Sequence, residues 1–179
     1  MVWHRVVNAD APWGDYGRIL VSGMTERRDE SGRVPLLRVG PFVPPITIAG
    51  ISNLLVTDEF RSRLTSSGLL GFSLAQVWKK RIAKLDWRSW DLTAGEPKQY
   101  PAGGEPENYV LGRKHDENVS EQIGPIWEVI TERTIDDPAD ADIVRTAATA
   151  FSQLLVNDRG RDWLQEQGGG WLRFEPHAT

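Results

Sequence analysis

The stretch LLVTDEFRSRLTSSG, residues 54–68, returns at an offset of 100 residues as LLVNDRGRDWLQEQG, residues 154–168, without a gap and with seven of fifteen positions identical. Each copy opens with three apolar residues of the buried-strand type. A side chain that caps helices follows, Thr57 in one copy and Asn157 in the other. The repeat therefore predicts a strand that leads directly into a capped helix at both places.

The end of each copy predicts where the helix stops. Gly68 and Gly168 lie where a helix commonly exits through a left-handed residue, which glycine adopts without steric cost. Apolar and aromatic residues follow both glycines and predict a second strand in each unit. The period is far longer than that of solenoid repeats, so the chain carries one duplicated strand-helix-strand unit rather than an array.

These patterns together predict an α+β fold, with mixed or antiparallel sheets and short helices. A length of 179 residues suits one domain, residues 1–179, which contains duplicated units at about 51–78 and 151–176. Residues 93–108, rich in Gly, Pro and Glu, predict a long loop.

Outside the repeat, short apolar runs predict further elements. Residues 2–7, 18–21, 35–39 and 126–130 have the composition of strands. The charged stretch ERRDESGR, residues 26–33, predicts the turn of a hairpin.

Two other segments favour helices. Trp78, Ile82 and Leu85 recur at helical spacing, so a helix is slightly favoured there over a strand. Asp137-Pro138 has the form of an N-cap and first helical residue, followed by Ile143, Ala147 and Phe151.

Composition excludes several function classes. The chain has no cysteine, so disulfides, thiolate metal sites and cysteine nucleophiles are absent. Residues 1–90 carry 13 Lys and Arg against 8 Asp and Glu, whereas residues 91–179 carry 8 against 17. The acidic half disfavours nucleic acid. It is compatible with steering a basic protein partner, although a solvated acidic face is the favoured interpretation. No membrane span or signal peptide is evident, so we expect a cytoplasmic protein with no membrane partner.

Catalytic and metal-binding patterns are weak. The three histidines lack the spacing of metal ligands on one element, so we expect no metal and no cofactor. His115-Asp116-Glu117 is the one local cluster with acid-base potential, and it lies in a polar segment that predicts a surface turn. We therefore expect no catalytic residue, with an uncharacterised hydrolase or transferase as a less favoured alternative.

The repeat also resembles the immunity proteins of bacterial polymorphic toxin systems, in particular the myxobacterial-type family. The resemblance lies in LLVTDEFRSRLTSSGLLGFSLAQV, in LLVNDRGRDWLQEQGGGWLRFEP and in the preceding DIVRTAATAFSQ, about 60 residues in all, with looser similarity over residues 39–91. Some relatives carry paired CxxC knuckles that suggest zinc. This chain lacks them, so no metal is inherited.

The resemblance implies a protein that binds and neutralises a cognate toxin domain by direct contact. Trp87 and Trp90 flank charges in DWRSWD, and tryptophan is enriched among interface hot spots, although a half-buried structural pair is the favoured alternative. The candidate charges that steer a possibly basic toxin are Asp136, Asp137, Asp140 and Asp142. A structural or assembly module with two pseudo-symmetric units remains open.

Overall fold

The chain adopts an α+β fold in a computed structural model that describes residues 2–96, 105, 107–131, 133–147 and 152–177. The strands of these ranges are β1 (Trp3–Asn8), β2 (Met24–Thr25), β3 (Pro35–Gly40), β4 (Ile46–Ala49), β5 (Asn53–Thr57), β6 (Ser73–Gln76), β7 (Trp78–Lys84), β8 (Ile126–Ile130), β9 (Ile143–Arg145), β10 (Leu154–Asn157) and β11 (Leu172–Pro176). The helices are α1 (Gly14–Ser22), α2 (Asp58–Thr65), α3 (Asn108–Leu111), α4 (Glu117–Ile123) and α5 (Asp158–Gln167).

Both copies of the repeat fold as strand, helix and strand. The Thr57 hydroxyl accepts a hydrogen bond from the Phe60 amide at 3.4 Å, and the Asn157 side chain accepts from the Gly160 amide at 2.9 Å. Both predicted caps are confirmed, because each satisfies an amide that has no partner within its helix.

The predicted left-handed exits are confirmed in one copy only. Gly68 has a φ of 71°, as predicted, but Gly168 has a φ of −78° and lies in the right-handed helical region. In the second copy the left-handed residues are the next two glycines, Gly169 and Gly170. Helix α5 therefore ends next to the predicted glycine, and the first left-handed residue comes one position later.

Each copy of the repeat contributes two strands to a four-stranded sheet, and we call the sheet and helix of the first copy unit 1 and those of the second copy unit 2. The unit 1 sheet has the order β4-β5-β8-β6, and the unit 2 sheet has the order β9-β10-β1-β11. In both, the two strands of the repeat flank a middle strand that is antiparallel to each of them. The middle strand of unit 2 is β1, so the two ends of the chain meet in one sheet.

The strand registers of the two sheets are equivalent. Val56 lies opposite Trp127 in unit 1, and Val156 lies opposite His4 in unit 2. The same offset of 100 residues holds on the other side of the middle strand, where Gln76 and Pro176 face these residues. The duplication thus extends from the sequence repeat to four strands per unit.

A shared core joins the two units. Buried apolar residues from both sheets and both helices form one cluster, with Phe60 and Leu64 from α2 and Leu164 from α5. The Phe60 and Trp163 rings meet edge to face with centroids 5.7 Å apart. Rings in this geometry add attraction beyond the area that they bury, so the helices are held against each other.

A third sheet has the strand order β2-β3-β7, and two sequence predictions are corrected in this part of the fold. Residues 78–84 form strand β7, parallel to β3, so the favoured helix there is wrong. Ile82 and Ala83 are consecutive and both fully buried, which a covered strand allows and a one-sided helix does not. Residues 18–21 lie in α1 rather than in a strand, because Tyr16 and Leu20 bury one helical face.

A third correction concerns the segment after Pro138. The predicted helix through Ile143 and Ala147 is wrong, because Ile143 and Val144 belong to strand β9 and pair with β10. Ile143 packs in the core shared by the units, while Val144 packs in a separate cluster on the other face of the sheet. Phe151, which the prediction also included, lies outside the described residues.

The other predicted strands are present. Strands β1, β3 and β8 cover the remaining apolar runs, and β2 and β3 form the predicted hairpin. Of the predicted loop at 93–108, residues 97–104 and 106 lie outside the described part of the chain, and Asn108 begins α3.

Candidate functional site

Asp142 is not a surface charge, contrary to the sequence prediction. It is only 3% exposed, and its carboxylate accepts hydrogen bonds from the Leu70 amide at 2.9 Å and from the Asn157 side chain at 2.9 Å. Arg159 pairs with it at 3.1 Å. The carboxylate therefore connects the helix exit of unit 1 to the helix cap of unit 2, and we remove Asp142 from the candidate partner-binding residues.

Trp87 also belongs to the interior. It is 3% exposed, lies on a short 3-10 turn at Trp87–Ser89 and packs edge to face on Phe42. Trp90 is half-buried, with ring contacts to Trp13 and Tyr109. The pair is therefore structural in the main, and only Trp90 offers partial surface to a partner.

The other three candidate aspartates are exposed. Asp136, Asp137 and Asp140 lie in the segment between β8 and β9, and Arg133 pairs weakly with Asp137 at 3.5 Å. This segment packs on the outer face of the unit 2 sheet, whereas Trp87 and Trp90 pack against the third sheet. The structure does not bring the predicted aspartates and tryptophans into one site.

A groove that the sequence did not predict lies between α5 and strands β1 and β11. It has a volume of about 690 Å³. Arg161, Asp162 and Gln165 line it from the helix, and His4 and Phe174 line it from the sheet. The groove combines charged, amide and aromatic side chains. Of these, arginine and aromatic residues are the types enriched at protein interfaces.

Charged contacts fix the His4 end of the groove. The His4 ring nitrogen Nε2 lies 3.0 Å from the Asp158 carboxylate, and Arg161 pairs with the same carboxylate at 3.1 Å. The hydrogen bond from His4 holds the pKa of Asp158 below its ordinary value, and the charge of Arg161 acts in the same direction. Asp158 also begins α5, where negative charge is favoured.

The equivalent position in unit 1 is occupied differently. Trp127 replaces His4, donates its indole Nε1–H to Asp58 at 2.9 Å and stacks beneath Arg61, whose guanidinium carbon is 4.7 Å from the ring centroid. Each helix thus begins with an aspartate that contacts a ring nitrogen of the middle strand, and an arginine follows three residues on. Trp127 carries the larger ring and packs against the core shared by the units, whereas His4 lines the groove of unit 2.

Sequence analysis missed this site because His4 is far from the repeat along the chain. Its placement depends on β1 entering the unit 2 sheet, which no local pattern predicts. A signal was present in the differences between the copies. Asp162, Gln165 and Arg173 all line the groove, and unit 1 has Ser62, Thr65 and Ser73 at the matching positions.

The one local acid-base cluster has structural contacts. His115 Nδ1 accepts a hydrogen bond from the Ile82 amide at 3.0 Å, and its Nε2 lies 3.0 Å from Glu117. Asp116 caps α4 by accepting from the Val119 amide at 3.0 Å. These side chains hold the start of α4 against the β7 edge.

Comparisons with protein-family models, curated proteins and solved structures find no match to this chain. Within the described ranges, no group of three or more His, Asp or Glu side chains is placed to hold a metal ion. Across the same ranges, every helix is too short or too polar to cross a lipid bilayer.

Proposed function

We propose that this chain is an immunity protein that binds a cognate bacterial toxin domain by direct contact and catalyses no reaction. The groove between α5 and β11 would contact the toxin. The proposal also assigns the protein to the cytoplasm of the toxin-producing cell, with no nucleic acid, membrane or cofactor as partner.

The observation that supports this proposal is the divergence of two otherwise equivalent units. The helix caps and strand registers agree between the units, as expected for a scaffold. Three exposed groove residues do not agree, because Asp162, Gln165 and Arg173 take the places of Ser62, Thr65 and Ser73. Scaffold packing does not require these exposed side chains. Exposed side chains that line a groove in one unit and differ from their counterparts in the other are the natural location for a partner-specific contact.

The exposed aspartates have a separate proposed role, which is to accelerate association with the toxin domain. Asp136, Asp137 and Asp140 place three exposed carboxylates in one short segment of the acidic half. Exposed charge of one sign raises the association rate with a partner of opposite charge more than it raises final affinity. We therefore assign these residues to steering a basic toxin domain.

Co-expression tests the proposal. A bacterial host would produce the toxin domain encoded by the adjacent reading frame, with and without this chain, and surviving colonies would be counted. Growth that depends on the chain supports the proposal, whereas a harmless neighbour, or killing that the chain does not relieve, contradicts it. Gln165→Arg should weaken protection, and Thr65→Arg at the matching exposed position of unit 1 is the control.

An assembly module is the second candidate function. The supporting observation is the equivalence of the two units, which a symmetric scaffold would use to present two similar surfaces. A defined multimer in light scattering, together with failure to protect against the neighbouring toxin, would favour it over the immunity function.

A further inference from the structure

Strand β11 lies at one edge of the unit 2 sheet, and among the described strands it pairs only with β1. Trp171 and His177 form backbone hydrogen bonds of 2.9 Å with the facing segment, residues 3–9. Antiparallel strands exchange such bonds at every second residue, and the residues between point the other way. The N–H groups of Leu172 and Phe174 therefore point out of the sheet, and neither has an acceptor within the described part of the chain.

Two comparable sheet edges are closed by specific contacts. On β4, the Asn8 side chain accepts from the Ile48 amide at 2.8 Å and donates to the Ile48 carbonyl at 2.7 Å. On β9, Arg145 donates to the Arg133 carbonyl at 2.9 Å and accepts from the Ile135 amide at 2.8 Å. Proteins cover their edges in this way because an unpaired edge attracts another strand. The edge of β11 lacks this protection.

Opposite charges flank Phe174 on β11. Arg173 and Glu175 share one face of the strand, because alternate side chains point to the same side, and on that face Arg5 donates to Glu175 at 3.0 Å. Arg173 pairs with Asp10 at 3.3 Å, but both side chains are more than half exposed, so this pair holds Arg173 only weakly. The edge thus presents one positive and one negative charge, placed evenly about Phe174.

We propose that two copies of this chain pair through β11, antiparallel and with Phe174 at the two-fold axis. Each Phe174 amide then donates to the Phe174 carbonyl of the second copy, and each Leu172 amide donates to the Pro176 carbonyl of the second copy. Arg173 lies directly opposite Glu175 of the second copy, and opposite charges that face each other across two strands stabilise the pair. Pro176 has no N–H, so the pairing ends there.

The charges also select this register. A two-fold axis one residue earlier would place Arg173 opposite Arg173 of the second copy, and an axis one residue later would place Glu175 opposite Glu175. Like charges directly opposite each other are destabilising. The matching edge strand of unit 1, β6, has Ser73 and Ala75 at these positions and offers no such selection. The self-complementary contact therefore belongs to β11.

The pairing joins the two unit 2 sheets into one continuous sheet. Residues directly opposite each other point to the same face of a sheet, and Phe174 points to the face that carries the α5–β11 groove. Both α5 helices therefore lie on one face of the dimer, with the two grooves on either side of the axis. The pairing requires no toxin, so it goes beyond the proposed function and can be tested with the chain alone.

Sedimentation velocity of the full chain over a range of concentrations would give the dissociation constant of the dimer. Arg173→Glu sets like charges opposite each other and should weaken the dimer roughly tenfold. Combining Arg173→Glu with Glu175→Arg restores opposite charges and should recover the dimer. Ser73→Glu makes a similar change on the exposed edge of β6 and is the control. Circular dichroism would check that each variant is folded.

The register has an independent test, because the chain contains no cysteine. In Phe174→Cys the two introduced residues would meet at the axis, where opposed Cα atoms lie about 5.5 Å apart, within the range of a disulfide. Oxidised glutathione should cross-link this variant into a dimer, whereas Leu74→Cys on β6 should cross-link much more slowly.

Four results would overturn the proposal. They are a wild-type chain that is monomeric at every concentration, a dimer that Arg173→Glu does not weaken, a folded double variant that stays monomeric, and equal cross-linking at the two cysteine positions.

Discussion

His4 and Trp127 occupy the same position in the two sheets, each opposite the third residue of its repeat, Val156 or Val56. Each presents a ring nitrogen to the aspartate that begins the neighbouring helix, at 3.0 Å and 2.9 Å. Trp127 packs against the shared core, whereas His4 lines the groove of unit 2. The shared contact with the aspartate belongs to the scaffold of the duplicated unit. The difference between the two side chains marks the candidate binding surface.

The first prediction concerns the acidity of Asp158. His4→Ala should raise the pKa of Asp158 toward its ordinary value, because the largest cause of its lowering is the hydrogen bond from His4. Carboxyl ¹³C shifts during an NMR pH titration would measure the change. His4→Gln, which keeps a side-chain N–H donor, is the control and should retain more of the lowering.

The same shift fixes the sign of a stability effect. Because the folded-state pKa of Asp158 is lowered, its contribution to stability is fully present above the unfolded-state pKa and is lost as the pH falls through the folded-state value. The share of the wild-type advantage over His4→Ala that comes from this contact should therefore be lost below about pH 4. An advantage that grows on acidification would contradict this assignment.

A second prediction compares the two helix caps. Thr57→Ala should lower the free energy of unfolding by about 1 kcal/mol, the usual value for an N-cap. Asn157→Ala should cost more, about 2–3 kcal/mol, because the Asn157 amide also donates to buried Asp142 at 2.9 Å. Urea unfolding would measure both. Asn157→Thr should recover the part of the free energy of unfolding that comes from the N-cap. Equal costs for Thr57→Ala and Asn157→Ala would argue against a stabilising contact between Asn157 and Asp142.

Asp142 provides a third prediction. Asp142→Ala should lower the free energy of unfolding by about 2–4 kcal/mol, because the Leu70 amide and the Asn157 side chain lose a buried acceptor. Asp140→Ala at an exposed position should change it by less than about 0.5 kcal/mol. Thermal and urea unfolding of the two variants would give the comparison. A mild effect at Asp142 would return it to the surface candidates.

A fourth prediction concerns the exposed aspartates. Replacing Asp136, Asp137 and Asp140 together by Lys should slow association with a basic toxin domain by roughly tenfold at low salt, with little change in the dissociation rate. Stopped-flow kinetics at several salt concentrations would also show a weaker salt dependence. The association rate of the triple Asn variant should lie between those of the wild-type chain and of the triple Lys variant. Unchanged association rates would remove these residues from the encounter.

The local parts of the fold were predictable from sequence, and the reason is visible in the repeat. Caps such as Thr57 and Asn157 act on amides two or three residues away, so their chemistry is readable without tertiary structure. The segment at 78–84 was not predictable in this way. Its helical spacing is outweighed by pairing with β3, a partner some 40 residues distant in the chain.

The candidate site was harder to predict than the fold. Asp142 sits in an acidic stretch whose composition indicates a surface, yet its neighbours in space come from the Leu70 loop and from α5. His4 lacks any local motif, and its role follows from the pairing of the first strand with the last two. Pairing between strands that are far apart in the chain places both Asp142 and His4. No local sequence pattern reveals that pairing.

The most direct test of the proposed function is the affinity of the neighbouring toxin domain for His4→Trp. This change should fill part of the unit 2 groove, because an indole is larger than an imidazole, and the new indole N–H would still reach an aspartate. We expect affinity in isothermal titration calorimetry to fall roughly 30-fold, the effect of losing an interface hot spot, while Trp127→His in unit 1 changes it less than about twofold. A folded His4→Trp chain that binds the toxin as tightly as wild type would contradict the account.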